Sequence, residues 1–305
     1  MHNDPFDPRP GLCAALEPGL RRILAPNPSP MTFRGTNTYL IGTRDIAVID
    51  PGPQDKSHLE AILAALGPDQ RVSHIIATHS HLDHTPLASV LAEHTGAPVL
   101  GFGPAHAGRS AVMSGLVSAG MAGGGEGIDH RFSPNITVAD GARITGSDWT
   151  LEVIHTPGHL GNHICLGWND TCLTGDHVMG WASSLVSPPD GDLTDFMASC
   201  DRLAARNWRV FYPGHGAPVA DPAARLSWLI THRRGREAAI LDALRTEPAT
   251  AHSIARRVYT DTPATLLPAA TRNVLAHLID LTGKSMACPQ GPLTADTVFE
   301  AVTKG

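Results

Sequence analysis

A short apolar run, Val72-Ser73-His74-Ile75-Ile76-Ala77-Thr78, leads without a break into His79-Ser80-His81-Leu82-Asp83-His84. The run has the length and β-branched content of a buried strand. A turn starting at Thr78 then projects His79, His81, Asp83 and His84 from one strand end, which is where open sheets place their ligand sites. Histidine is the commonest metal ligand. Nitrogen and oxygen donors with no thiolate among them favour zinc, with manganese or iron as the alternatives.

Composition agrees with a metal-binding sheet protein. The 305 residues include 17 His, 30 Gly and 25 Pro, with 42% hydrophobic and 5% aromatic residues. That profile excludes disorder and argues for many tight turns rather than a helix bundle. At this length one large and one small domain are expected. The five cysteines, Cys13, Cys165, Cys172, Cys200 and Cys288, form no CxxC pair, so neither a disulfide framework nor a thiolate zinc site is indicated. The first residues lack the pattern of a secretory signal, and no apolar run approaches a membrane span, so a cytoplasmic protein with no membrane partner is expected. Residues 1–232 carry 14 Lys/Arg against 22 Asp/Glu, which argues against broad polyanion binding and against DNA as a partner.

Along the chain, 36–42, 45–50, 72–78 and 97–102 read as strands and 57–67 and 85–95 as helices, the first opened by a Ser57/Glu60 capping box. The Gly-, Ala- and Ser-rich segment 115–127 reads as a mobile surface loop. Short strands follow at 136–138, 142–145, 149–155, 163–168 and 171–174, then a helix at 192–206 and a strand within 208–216. Beyond residue 223 strand signals fade, and helices at 222–245, 250–259 and 267–282 suggest a separate unit. The expected division is therefore 1–222 and 223–305. Within the second unit, Arg233, Arg234 and Arg236 read as a solvated helix face.

One local arrangement recurs: a strand, a turn of small residues, then a candidate ligand. HTPGH ends at His159, CLTGD at Asp176, and FYPGHG carries His215. In each, Gly or Pro lets the backbone turn sharply beside a crowded site.

With these residues in order, the chain resembles the metallo-β-lactamase fold superfamily. The motif at 79–84, His159, Asp176 and His215 match its ligand series one by one. The resemblance implies an αββα sandwich over roughly 20–220, with His79, His81 and His159 on one metal, Asp83, His84 and His215 on the other, and Asp176 bridging. NPSPMTFRGTNTYLIG, SPPDGDLTDFMAS and THRRGREAAIL, with VYTDTPATLLPAATRNVLAHLIDLTGK near the end, resemble more closely the beta-lactamase-like protein 2 group, which implies a small helical, winged-helix-like C-terminal domain.

The implied chemistry is hydrolysis by a bridging hydroxide between two zinc ions, which needs no protein nucleophile. Asp83 is the catalytic candidate, orienting the hydroxide as well as binding metal. His163, His177 and Trp181 are candidates to support the ligands or meet the substrate, with packing as the alternative for each, and Thr156 and Thr174 to orient ligating imidazoles. The resemblance disfavours β-lactams, since Asp176 stands where zinc lactamases place cysteine. It leaves an ester, thioester or lactone as the small-molecule substrate. The alternative is single-stranded RNA, because the resembling group includes an endoribonuclease. The C-terminal unit is expected to cap the site or to form a homodimer contact.

Overall fold

The computed structural model describes residues 6–123, 127–260 and 262–302. Four antiparallel strands open the chain: β1 (Cys13–Glu17), β2 (Leu20–Leu24), β3 (Asn37–Ile41) and β4 (Asp45–Ile49). Helix α1 (Lys56–Ala64) then crosses to β5 (Arg71–Ile76), α2 (Leu87–Thr95) to β6 (Val99–Gly101), and α3 (Ala111–Ser118) precedes β7 (Ile136–Thr137). The last four strands of this seven-stranded sheet pair in parallel. A second, five-stranded sheet contains β8 (Arg143–Thr145), β9 (Thr150–His155), β10 (Ile164–Trp168) and β11 (Thr171–Gly175) in antiparallel order. After α4 (Leu193–Ala204), β12 (Val210–Pro213) joins it parallel to β11.

Side-chain alternation places these layers. In β4, Ala47 and Ile49 enter the core between the sheets, where they meet Leu151, Val153 and Leu166 of the second sheet. Ile46 and Val48 point the other way, beneath Leu59 and Ile62 of α1 and Leu87 and Leu91 of α2. Both faces are buried, so the strand is a continuous apolar run. The outer face of the second sheet is covered in the same way, Ile154 and Phe211 lying against Phe196 and Leu203 of α4. The result is the expected αββα sandwich.

Several local expectations are corrected. Asp55, not Ser57, caps α1: its carboxylate accepts the His58 N–H at 2.9 Å, and the Ser57 hydroxyl donates to the same oxygen. A carboxylate is the stronger acceptor for the helix's free N–H groups. Strands β1 and β2 carry no strand signal in the sequence: two arginines interrupt the apolar pattern of β2, and β1 is an edge strand with no buried residue. The segment 115–127 is not a loop throughout. Gly115–Ser118 belong to α3, and Met113, Leu116 and Met121 are buried among C-terminal helices, so apolar burial outweighs the surrounding small residues. Residues 124–126 lie outside the described residues.

Helix α5 (Pro222–Thr246) contributes to two cores: Leu226 and Leu229 pack on the second sheet's layer, Ile240, Leu241 and Leu244 on the C-terminal helices. After it come β13 (Ala249–Thr250), α6 (Ala251–Val258), α7 (Leu267–Gly283), β14 (Ala287–Pro289) and β15 (Val298–Ala301). These three strands form a small antiparallel sheet, β13-β15-β14, where no strands were expected, because segments of two to four residues carry no readable period. No helix among the described residues is long and apolar enough to cross a membrane.

Candidate metal centre

Each candidate ligand follows the C-terminal end of a strand: the 79–84 turn follows β5, His159 follows β9, Asp176 follows β11 and His215 follows β12. Asp50, at the end of β4, holds the first turn in place. Its Oδ1 accepts the Thr78 N–H at 2.7 Å and its Oδ2 accepts the Thr78 hydroxyl at 2.8 Å. Two glycines make room. A Cβ on Gly214 would stand 2.4 Å from Asp176 Oδ1, and one on Gly158, where φ is +139°, would stand 2.3 Å from the Phe196 backbone.

The side chains converge in two groups. In the first, His79 Nε2 and His159 Nε2 lie 2.9 and 3.1 Å from His81 Nδ1, and 3.9 and 3.7 Å from Asp176 Oδ2. In the second, Asp83 Oδ2 lies 3.1 Å from His215 Nε2 and 3.4 Å from His84 Nε2. Asp176 faces this group too, Oδ2 at 3.3 Å from His215 Nε2 and Oδ1 at 3.5 Å from His84 Nε2. One ligand atom from each member lies within 4.8 Å of the others in its group, close enough for one ion per group.

The proton positions fit metal ligation. His84 Nδ1 meets Asp50 Oδ2 at 3.0 Å, His159 Nδ1 the Leu185 carbonyl at 2.7 Å, and His215 Nδ1 the Gly35 carbonyl at 3.1 Å. His79 Nδ1 meets Thr78 Oγ1 at 2.9 Å, and because that hydroxyl donates to Asp50 it must accept from His79. Each outer nitrogen therefore donates to an oxygen. When the imidazoles are neutral, their inner nitrogens present lone pairs to the site. Asp176 Oδ1 is buried with no hydrogen-bond partner, as a carboxylate oxygen awaiting a cation would be.

Electrostatics divide the groups. Burial holds the first group's imidazoles below their ordinary range, His81 at about 3. In the second, burial opposes the charge but the carboxylates outweigh it: Asp83, Asp176 and Asp50 hold His84 well above its usual value, and Asp176 and Asp83 bring His215 to about 10. For Asp83 and Asp176, too, burial is outweighed, here by His84 and His215, and both are held well below the carboxylate range.

His163 lies behind the cluster, its ring 5.1 Å from that of His79. It meets Thr156 Oγ1 at 2.9 Å and accepts the Asp176 N–H at 3.2 Å, so it steadies a ligand's main chain. His177 is buried against Phe196, 3.5 Å from the Cys200 thiol. Trp181, half-buried, stacks on Phe33 at 5.0 Å and touches Gly216, beside His215. Thr156 thus serves His163, and Thr174 donates to the Val178 carbonyl; Thr78 is the threonine that bonds a clustered imidazole. Asp50 was missed: DIAVID reads simply as a strand, although an acid closing an apolar run was a visible signal. Asp50→Asn is expected to weaken metal binding by about 10–100-fold, as measured by competition with a chromogenic chelator.

Comparison with known proteins places this geometry. The family model described as the Metallo-beta-lactamase superfamily matches residues 31–215. The chain belongs to that superfamily. A second model, the Beta-lactamase associated winged helix domain, matches residues 250–283. A Beta-lactamase-like protein 2 homolog from Drosophila melanogaster is 31% identical over 272 residues, covering 85% of this chain and 86% of the relative. An Atrochrysone carboxyl ACP thioesterase from Aspergillus fumigatus is 29% identical over 238 residues, covering 75% of this chain and 66% of that protein. A crystal structure of a metallo-beta-lactamase family protein from Thermus thermophilus superposes with a TM-score of 0.75 at 26% identity, covering 94% of this chain and 100% of that one. The superfamily consists largely of hydrolases, and its metal-binding His/Asp cluster is present here.

Proposed function

We propose that residues 1–222 form the catalytic unit of a zinc-dependent hydrolase acting on a small ester, thioester or lactone. His79, His81 and His159 hold one ion, Asp83, His84 and His215 the other, and Asp176 is shared. The observation that carries this reading is the placement of Asp176, whose carboxylate faces histidines of both groups within 3.9 Å. Two divalent cations so held supply Lewis acidity to the attacked group and bring the pKa of a water towards neutrality.

The chain's own residues do the rest. Asp83 is the more open carboxylate, 25% exposed against 9% for Asp176, and its Oδ2 orients the attacking water. His81 and His159 border a narrow opening with Ile128, Leu160 and Leu185 on its apolar side and Ser187 and Asp190 on its polar side. Leu82, half exposed between two ligands, lies at the edge of a concavity of about 900 Å³ whose wall mixes apolar Val99 and Phe132 with charged Glu93, Asp129 and Arg131. The fungal thioesterase among the relatives supports the thioester reading.

RNA gains no comparable support. The helix that a winged-helix reader lays in a groove corresponds to α7, and here Val274 to Leu281 are all buried. The zinc-loaded protein is expected to turn over thioesters or carboxylic esters, to lose activity to a chelator and to regain it with Zn²⁺. Assays on thioesters, p-nitrophenyl esters, lactones, phosphodiesters and single-stranded RNA test this; cleavage of RNA alone would overturn the substrate assignment.

A further inference from the structure

The segment that follows Asp176 is held by side chains of the C-terminal helices. Among the described residues, no hydrogen bond between main-chain groups fixes 182–186. Arg225 of α5 instead donates to the Met179 and Ala182 carbonyls, each at 2.7 Å. Two turns further along α5, Arg233 donates to the Ser184 carbonyl and, at 3.0 Å, to Asn273 Oδ1 of α7. The same Asn273 oxygen accepts the Val186 N–H at 3.1 Å. Leu185 is thereby gripped on both sides, and its carbonyl is the one that accepts from His159 Nδ1 at 2.7 Å. Ser184, within the grip, donates its hydroxyl to the Asp176 and His177 carbonyls.

Arg233 is 2% exposed and stands over the Phe196 ring, where the basic run Arg233, Arg234 and Arg236 predicts a solvated helix face. A guanidinium is buried at a cost that only well-placed acceptors offset. What these acceptors have in common is the position of the Leu185 carbonyl. We propose that Arg233 and Asn273 are positioning residues for the metal centre: through the 184–186 segment they set the orientation and tautomer of His159, and so make the C-terminal helices part of the first metal group. This rests on the metal-ligand reading given above.

Co²⁺ titration of the full-length metal-free chain, followed by its visible spectrum and by calorimetry, tests the inference. The parent is expected to bind two ions. Arg233→Met and Asn273→Leu should each weaken the ion of the His79/His81/His159 group by about 10–100-fold and change its spectrum, leaving the other ion at parental affinity. Arg233→Lys, which keeps the charge and one donor towards Ser184, should restore part of the loss. Far-UV circular dichroism identifies a variant that fails to fold, and if Arg233→Met does, Asn273→Leu decides. Folded variants that bind both ions with parental affinity and spectrum overturn this inference alone. A parent that binds no Co²⁺ overturns the metal reading and the inference with it.

Discussion

Asp176→Ala is expected to leave the purified chain with neither ion and no measurable hydrolysis, where the parent carries about two ions per chain. The carboxylate faces histidines of both groups, at 3.7 and 3.9 Å from His159 and His79 and at 3.3 Å from His215. Removing it takes a negative charge from a buried site that collects five imidazoles, and two dications then lose the anion between them. The loss should exceed the roughly 10–100-fold that follows removal of a ligand's hydrogen-bonding partner. Asp83→Ala supplies the contrast, since Asp83 belongs to the second group only; it should release that ion while the first remains. Inductively coupled plasma mass spectrometry on both variants makes the comparison. Two ions retained by Asp176→Ala would remove the shared-ligand role.

The metal-free protein is expected to lose stability steeply as the pH falls from 6.5 to about 4. Burial holds His58 at about 4 and His177 and His277 at about 3. In the unfolded chain each titrates near 6.5, so in this window the unfolded state binds protons that the native state refuses, and unfolding is favoured as pH falls. For His58 alone a depression of that size corresponds to roughly 3 kcal/mol at pH 4, and the three together rival the whole stability of an ordinary domain. His215, raised to about 10, acts in the opposite range: its contribution is complete below 6.5 and is lost as pH rises through 10, so it offsets nothing in acid. Urea midpoints of chelator-treated protein between pH 7 and 4.5 measure the slope. His277 has no hydrogen-bond partner at either ring nitrogen, so His277→Leu should fold at pH 7 and flatten the slope. An unchanged slope would exclude His277 from the acid response.

How much of this was legible depends on distance along the chain. The ligand turns could be read because each is local: at 79–84 the donors follow an apolar strand directly, and at His159, Asp176 and His215 a strand, Gly or Pro and a donor follow one another within a few residues. The αββα layering followed from the resemblance that those turns carried. Asp50 was not legible, because what gives it meaning is contact with Thr78 and His84, 28 and 34 residues away. The Leu185 carbonyl has no sequence signature at all, since every residue offers the same backbone oxygen. Arg233 was misread because Arg234, its exposed neighbour, and half-buried Arg236, bonded to the Val258 carbonyl, look the same in a string of letters.

The sequence by itself therefore determined which atoms are available to a metal and the strand ends that present them, since both are properties of short segments with their own turn chemistry. Only the tertiary structure decided how the imidazole protons are placed, that Asp50 holds the first turn, and that two C-terminal helices grip the 182–186 segment beside His159. Those facts are made of contacts between residues far apart in sequence, and their geometry exists only once the two sheets and the helices outside them have packed.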